Sequence, residues 1–440
     1  MKHFFIISLL VLPVLSVLGQ DTNDSSGPKR FNLHFQTTYI YQYMPAFYSP
    51  YNGVNSLKGA EQKQNSLTAT LCLGIRLWKN CDIYINPEIA GGSGLSGAFG
   101  LAASTNGETY RVGDPAPQLY LARGYIQQTI RLGKGSTSEA DVANQCGGIQ
   151  PAQYIRFLAG KFSLADIFDN NAFSSSPRTQ FMNWAIMNNA AWDYAANVRG
   201  YTYSFATIVQ LKDISYKIAI AALPTVANGP DLNTDLSRSY SINAEVAKGY
   251  KIGEKAGLIR MLGYYNRADM GSYRQAISAS DSGQVPNIIS TREYGRSKTG
   301  LGLNMEQQLT GAIGLFGRVG WNNGATETWC YTEADQTITG GLSINGKGWQ
   351  RKDDNTGIAI VVNGLSKDHR DYLADGGLGF ELGDGKLSYN NEAAVEWYYS
   401  YKPVAYPIWI SGDYQFVANP GYNQARGPVN VFSLRVHVEL

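Results

Sequence analysis

The fold is decided by the last twelve residues of the chain, 429–440, which read VNVFSLRVHVEL. Apolar side chains share one parity (Phe432, Leu434, Val436, Val438 and Leu440), and polar side chains share the other (Ser433, Arg435, His437 and Glu439). Successive side chains of an extended chain point to opposite faces, so this stretch predicts a strand with one apolar and one polar face. The alternation persists to the final residue, which is typical of the closing strand of a transmembrane β-barrel.

The other end of the chain carries an export signal. Lys2 and His3 precede a largely apolar run from Phe4 to Leu18, and the small residue Gly19 follows. These features are typical of a secretory signal peptide, so we expect residues 1–20 to be removed and residues 21–440 to form one barrel domain. No later stretch approaches the roughly 18 apolar residues that a membrane helix needs. The exported chain is therefore either secreted or embedded in an outer membrane as a barrel.

The composition favours the barrel. The chain contains 29 Tyr, 8 Trp, 16 Phe and 48 Gly, and its mean hydropathy is negative. This mixture suits short alternating strands, aromatic girdles and polar loops better than buried helices. The formal net charge is only +2, so nothing indicates a nucleic-acid partner.

Period-two alternation recurs along the whole mature chain. It runs through residues 31–43, 66–77, 201–211, 240–246, 299–306, 313–321, 389–399 and 408–416. Most of these segments have about the 9 to 11 residues that a tilted strand uses to cross a bilayer. Tight turns are predicted at Lys212-Asp213, Thr310-Gly311 and Gly383-Asp384-Gly385, and longer loops at 44–65, 89–117, 163–198 and 267–293.

The number of strands in such a barrel must be even. Plausible strands number about seventeen, but a single-chain bacterial barrel needs an even number. We therefore predict an all-β, transmembrane antiparallel β-barrel of sixteen strands, with eighteen as the alternative. The weakest segments are 152–162, 336–345 and 355–363.

Four cysteines in an exported chain raise the question of disulfides. A tight turn at Lys79-Asn80 would place Cys81 opposite Trp78 and Cys72 opposite Pro87, so Cys72 and Cys81 should not meet. Cys146 and Cys330 fall in predicted loops, and the sequence leaves their pairing open.

A barrel of this size has a lumen too wide for its wall side chains to fill, so in-folded loops decide what passes. The segment 160–200 is the best candidate for such a loop because it is dense in aromatic, amide and charged residues. Within it we expect a short helix over about Pro177 to Ala190, starting at the proline.

Several spaced motifs occur in order along the chain. They include Gly160-Lys161-Phe162, Phe168-Asp169, Trp192-Asp193-Tyr194, Arg199-Gly200, Trp349-Gln350-Arg351, Asp413-Tyr414-Gln415-Phe416, Asn419-Pro420, Arg426-Gly427-Pro428 and Leu434-Arg435. This series resembles the carbohydrate-selective porins of the OprB type over nearly the whole mature chain. Gly412 stands where the family usually has proline, and Leu440 stands where an aromatic residue is commoner.

The resemblance implies a passive channel for small carbohydrates in the cell outer membrane. Its expected partners are the permeating sugars, outer-membrane lipid and the barrel assembly machinery, and a homo-oligomer is compatible with it. No cofactor and no metal are expected. Asp166 and Asp169 are oxygen donors, but loop aspartates mostly cap turns.

A neutral sugar offers hydroxyls that need hydrogen-bond partners and C–H patches that lie against aromatic rings. Candidates for the pore or its constriction are therefore Arg76, Glu88, Arg123, Asp166, Asp169, Arg178, Trp184, Trp192, Arg318, Glu392 and Glu396. Each has a structural alternative. Tryptophans of barrels often lie at the lipid interface, and inward charges often pair with one another.

Two other classes of function remain open at this point. A hydrolase would need a nucleophile beside a histidine base, yet the mature chain has only His34, His369 and His437 and no Gly-x-Ser-x-Gly motif. We therefore expect no enzymatic activity. A secreted or surface sugar-binding β-protein without a channel is the alternative, and it would show strands of more variable length.

Overall fold

The computed structural model describes residues 29–109, 115–280, 283–331, 333–403 and 406–440. The predicted signal peptide, 1–20, lies outside this part of the chain. Among the described residues, no helix is long and apolar enough to cross a membrane.

The described residues are mostly strands. Their bounds are β1 (Phe31–Met44), β2 (Gln62–Trp78), β3 (Cys81–Gly91), β4 (Gln118–Arg131), β5 (Ser136–Glu139), β6 (Gly148–Pro151), β7 (Tyr154–Phe162), β8 (Thr202–Gln210), β9 (Ile214–Ala221), β10 (Tyr240–Ile252), β11 (Lys255–Met270), β12 (Glu293–Gln308), β13 (Ile313–Asn322), β14 (Gln336–Gly346), β15 (Arg351–Gly364), β16 (Glu392–Tyr401), β17 (Ile408–Ala418) and β18 (Val429–Glu439). Three short α-helices lie in loops of the described chain: α1 (Trp184–Met187), α2 (Tyr273–Ala279) and α3 (Lys367–Ala374).

Sixteen of these strands form a closed antiparallel barrel, as predicted, and β5 and β6 form a separate two-stranded hairpin. The barrel closes where β18 pairs with β1, from Gln36 opposite Glu439 to Tyr43 opposite Phe432. The three segments that were the weakest strand predictions, 152–162, 336–345 and 355–363, are all strands (β7, β14 and β15). The one strand too many among the roughly seventeen predicted was therefore not one of these.

The two ends of the barrel differ in the length of their connections. Short turns such as 79–80, 211–213 and 309–312 lie at one end, which we call the turn end, and all three were predicted from the sequence. The predicted loops around 44–65, 89–117, 163–198 and 267–293 lie at the opposite end, the loop end. In bacterial barrels the short turns face the periplasm. One long connection, 132–153, breaks this pattern because it lies at the turn end and carries the β5–β6 hairpin.

Side chains of the barrel wall point inward or outward as the alternation predicts. In β16, Glu392 and Glu396 point inward and are 0% exposed, whereas Trp397 points outward and is 54% exposed. Val395 shares the outward side with Trp397. The outer surface is therefore apolar and the inner surface polar, as the alternation predicts.

Three local predictions were wrong. A bulge between Arg76 and Trp78 shifts the β2–β3 register by one residue, so Cys72 lies beside Asn86 and not opposite Pro87, although Trp78 does pair with Cys81. The Gly383-Asp384-Gly385 turn does not join two strands, because it lies within the connection between α3 and β16, and β16 begins at Glu392. The pairing of Cys146 and Cys330, which the sequence left open, does not occur, because all four cysteines are free.

The third error concerns the predicted helix over 177–190. The helix α1 covers only Trp184–Met187, and the Asn183 side chain caps it by accepting a hydrogen bond from the backbone N–H of Ala185. The backbone N–H groups of Met182 and Asn183 are directed at Glu396 of the wall. Because these groups bind the wall, the helix cannot begin at Pro177.

The hydrophobic core lies inside the barrel, between the wall and the in-folded loops. One cluster contains Phe168 and Trp192 from the 163–201 loop, together with Leu262 of the wall. A second contains Phe181 and Ile186 from the same loop. The loop is therefore packed as a fixed part of the lumen.

Candidate functional site

Two adjoining cavities lie in the lumen beside the in-folded loops. The upper cavity, nearer the loop end, has a volume of about 320 Å³, and the lower cavity, nearer the turn end, has a volume of about 540 Å³. Both are lined by Arg123, Asn144, Ala165, Asp166 and Ser175. These shared residues mark where the two cavities meet.

One side of the upper cavity is a cluster of ion pairs. The Arg123 guanidinium binds both carboxylate oxygens of Asp166, at 2.6 and 2.8 Å. Arg178 lies 3.0 Å from Glu108 and 3.5 Å from Glu88. Two wall strands, the 92–117 connection and the 163–201 loop thus contribute to one charged surface.

Glu88 is the centre of this cluster. Its carboxylate accepts hydrogen bonds from Thr70 at 2.5 Å, from Tyr201 at 3.2 Å and from Tyr120. Both tyrosine rings also contact arginines, since Arg123 lies over Tyr201 at 5.1 Å and Arg199 lies over Tyr120 at 4.1 Å. The arginines are thereby held in fixed orientations toward the cavity.

Burial and neighbouring charge set the ionisation of the loop groups here. Burial lowers the pKa of Arg178, but the carboxylates of Glu108 and Glu88 outweigh it and raise that pKa above its usual value. Burial and the Glu88 carboxylate raise the pKa of Tyr201. Arg178 therefore stays charged and the Tyr201 hydroxyl stays protonated across the physiological range.

The other side of the upper cavity is aromatic. The rings of Trp184 and Tyr331 stack with centroids 4.6 Å apart, and those of Tyr194 and Tyr331 stack at 4.6 Å. Their planes are nearly parallel, at 16° and 6°. Burial raises the pKa of both tyrosines, so the aromatic trio of Trp184, Tyr194 and Tyr331 presents neutral surface.

Five predicted site residues line the upper cavity: Glu88, Arg123, Asp166, Arg178 and Trp184. The other six lie elsewhere: Arg76, Asp169, Trp192, Arg318, Glu392 and Glu396 line neither of these two cavities. Arg76 lies toward the turn end, where it pairs with Asp82 at 2.8 Å. The remaining five are buried contacts between the loops and the wall.

Glu392 and Glu396 hold in-folded backbone. Glu396 accepts hydrogen bonds from the backbone N–H groups of Met182 and Asn183, at 2.6 and 2.8 Å. Glu392 accepts from the N–H groups of Ala103 and Gly421, at 2.6 and 2.7 Å. A carboxylate with these partners is a fixed support for a loop and does not face the solute.

Arg318, Asp169 and Trp192 act in the same way. Arg318 is 1% exposed, pairs with Asp169 at 3.0 Å and donates to the Ile186 carbonyl at 2.8 Å. The Trp192 Nε1–H donates to Asn243 of β10 at 2.9 Å. These contacts join the 163–201 loop to β10 and β13 of the wall.

Sequence reasoning missed part of the upper cavity. Glu108, Tyr120, Tyr194, Arg199, Tyr201 and Tyr331 line it but were not among the candidates. Arg199 and Tyr194 lie in the segment and motifs already singled out, so their position was the available signal. Glu108 and Tyr331 come from other connections, and nothing in their local sequence separates them from ordinary loop residues.

A family model for the carbohydrate-selective porin, OprB family, matches residues 55–440. The chain belongs to this family. Porins of the family are outer-membrane channels, so the protein is an outer-membrane channel for carbohydrates, and the secreted alternative without a channel is excluded.

Solved structures share the fold at low sequence identity. The high-pH structure of Pseudomonas putida OprB superposes with a TM-score of 0.69 at 15% identity and covers 93% of this chain and 94% of that chain. The outer membrane channel DcaP of Acinetobacter baumannii gives a TM-score of 0.51 at 11% identity, covering 95% and 99% of the two chains. No curated protein matches the sequence.

Proposed function

We propose that small, neutral carbohydrates diffuse passively through the upper cavity, between the aromatic trio and the Arg123–Asp166 and Arg178–Glu108–Glu88 cluster. The observation that carries this proposal is that both surfaces line one cavity of about 320 Å³. Aromatic rings contact the C–H face of a sugar, and charged side chains bond its hydroxyls.

The charges of the cavity favour a neutral solute. The lining includes three arginines, Arg123, Arg178 and Arg199, and three carboxylates, those of Glu88, Glu108 and Asp166, so the formal charges cancel. Paired groups still offer donors and acceptors to hydroxyls. Because their charges cancel, these groups attract neither cations nor anions strongly. A sugar can therefore enter and leave the cavity without being held tightly by electrostatic interactions.

We propose no enzymatic activity. Thr38 and His437 form a contact of 2.9 Å, and Glu439 lies 3.7 Å from the other nitrogen of the same histidine. Thr38, His437 and Glu439 thus resemble the nucleophile, base and acid of a catalytic triad. Thr38 and His437 are, however, directly opposed in the β1–β18 register, so barrel closure itself accounts for their contact.

The remaining partners are also proposals. The charged start and apolar run of residues 1–20 support export with cleavage, and the alternating β18 supports recognition by the barrel assembly machinery. The apolar outer surface fits lipid contact, and a homo-oligomer is compatible with it.

The test is sugar binding measured in single channels. The purified mature protein is placed in a planar bilayer, and the dwell time of glucose and maltotriose in the pore is read from current noise. Trp184→Ala and Tyr331→Ala should shorten the dwell time by roughly 2- to 10-fold, which corresponds to about 0.5–1.5 kcal/mol for one aromatic contact.

The matched control is Trp321→Ala, because Trp321 is 48% exposed on the outer face of β13. It should leave the dwell time unchanged. Unchanged dwell times in folded Trp184→Ala and Tyr331→Ala would mean that sugars pass elsewhere.

A further inference from the structure

The 132–153 segment at the turn end returns into the lumen. Its tip, which connects β5 to β6, forms a tight turn in which the N–H of Gln145 donates to the Val142 carbonyl at 3.0 Å. Asn144 takes the left-handed conformation of this turn, with φ 61°. Asparagine is one of the few residues that accept that conformation readily, which fits its place in the turn.

The tip is fixed to the inner face of β1, β2 and β3. Asn32 Nδ2 contacts Asp141 Oδ1 and the Val142 carbonyl, each at 2.8 Å. Arg76 donates to the Cys146 carbonyl at 3.1 Å, and the Cys146 N–H donates to the Tyr84 hydroxyl at 3.0 Å. Arg76, predicted from the sequence to line the pore, instead holds this segment in the lumen.

The tip reaches the solute path. Ala143, Asn144 and Gln145 line the lower cavity, and Asn144 also lines the upper cavity. Asn144 as a whole is only partly buried, and an amide side chain can both donate to and accept from the hydroxyls of a solute.

We infer that the 140–147 tip is a second filter, in which Asn144 bonds a hydroxyl of the permeating carbohydrate as it moves from the upper to the lower cavity. This inference rests on the proposed sugar path. The channel then has one selective surface from the loop end and another from the turn end, and Asn144 is a specificity-determining residue at their junction.

The test removes the amide and keeps the turn. Asn144→Gly is compatible with a positive φ, so the tip should retain its shape. In planar bilayers with glucose or maltotriose, we expect the dwell time to fall by about 2- to 10-fold, the loss that fits one hydrogen bond between neutral groups. Single-channel conductance should rise. Asn144→Asp should shift ion preference toward cations.

Ser138→Asp is the charge control, because Ser138 is exposed on β5 and lines neither cavity. It should leave ion preference unchanged. If Trp184→Ala shortens the dwell time but folded Asn144→Gly and Asn144→Asp behave as the wild type, the second filter is refuted and the proposed function stands. If none of the three has an effect, both proposals fail.

Discussion

The backbone N–H of Asn183 donates a hydrogen bond of 2.8 Å to Glu396, and the adjacent N–H of Met182 donates to the other carboxylate oxygen at 2.6 Å. One wall carboxylate thus holds two successive amides of the 163–201 loop. The Asn183 side chain also reaches Gln415 of β17, at 3.0 Å. This junction fixes how far the loop extends into the lumen.

Replacing Glu396 should therefore release the loop and leave the barrel intact. Glu396→Ala removes the acceptor of both backbone N–H groups and should strongly weaken loop docking, whereas Glu396→Gln keeps an acceptor oxygen and should weaken it less. We expect higher single-channel conductance and faster proteolysis near residues 179–183. Glu61→Gln is the control, since Glu61 pairs with Lys63 at the exposed loop end. Unchanged conductance in folded Glu396→Ala would show that the loop is held by its other contacts.

Replacing Val395, the residue next to Glu396, should impair assembly of the barrel and not the docking of the loop. Val395 faces lipid, so Val395→Lys should impair assembly, by up to roughly 2–4 kcal/mol if the position lies near the midplane. Heat-modifiable migration and refolding in denaturant measure the effect, with Val395→Leu as the control. Normal assembly of Val395→Lys would mean that the side chain does not face hydrocarbon.

The contrast between Glu396 and Val395 shows what the sequence could predict. The direction of a wall side chain depends only on its parity along a strand, so period-two alternation sufficed to place Glu396 inside and Val395 outside. Closure of the barrel by the last strand followed from the same pattern. Register was less predictable, because the bulge at Arg76 leaves no clear mark in the sequence.

The role of each inward residue could not be predicted. Glu88 and Glu396 both point into the lumen, yet Glu88 lines the cavity and Glu396 lies beneath a loop. The difference depends on where a distant loop folds back, and that contact is not encoded near either residue. The same holds for Tyr331 and for Asn144, which reach the path from connections far apart in the chain.

Arg178 should control ion preference at the upper cavity. Arg178→Ala would leave Glu88 and Glu108 without their guanidinium partner, so we expect a shift toward cations. Reversal potentials in a salt gradient measure this shift. Arg131→Ala is the control, because Arg131 lies at the turn end and contacts backbone carbonyls and Ser136. A shift toward anions would contradict the assigned pairing.

Replacing Asp166 should shift ion preference in the direction opposite to that expected for Arg178. Asp166→Asn removes one negative charge and leaves the Arg123 guanidinium uncompensated, so ion preference should shift toward anions. In the wild type, Asp166 accepts a hydrogen bond from the backbone N–H of Ser163 at 3.3 Å. The asparagine keeps an acceptor oxygen for this hydrogen bond, so the local turn should be retained. Combining Asp166→Asn with Arg123→Gln removes both charges and should return the reversal potential toward the wild-type value. If the double variant stays as anion-selective as Asp166→Asn alone, the field at the junction of the two cavities comes from other residues and not from this ion pair.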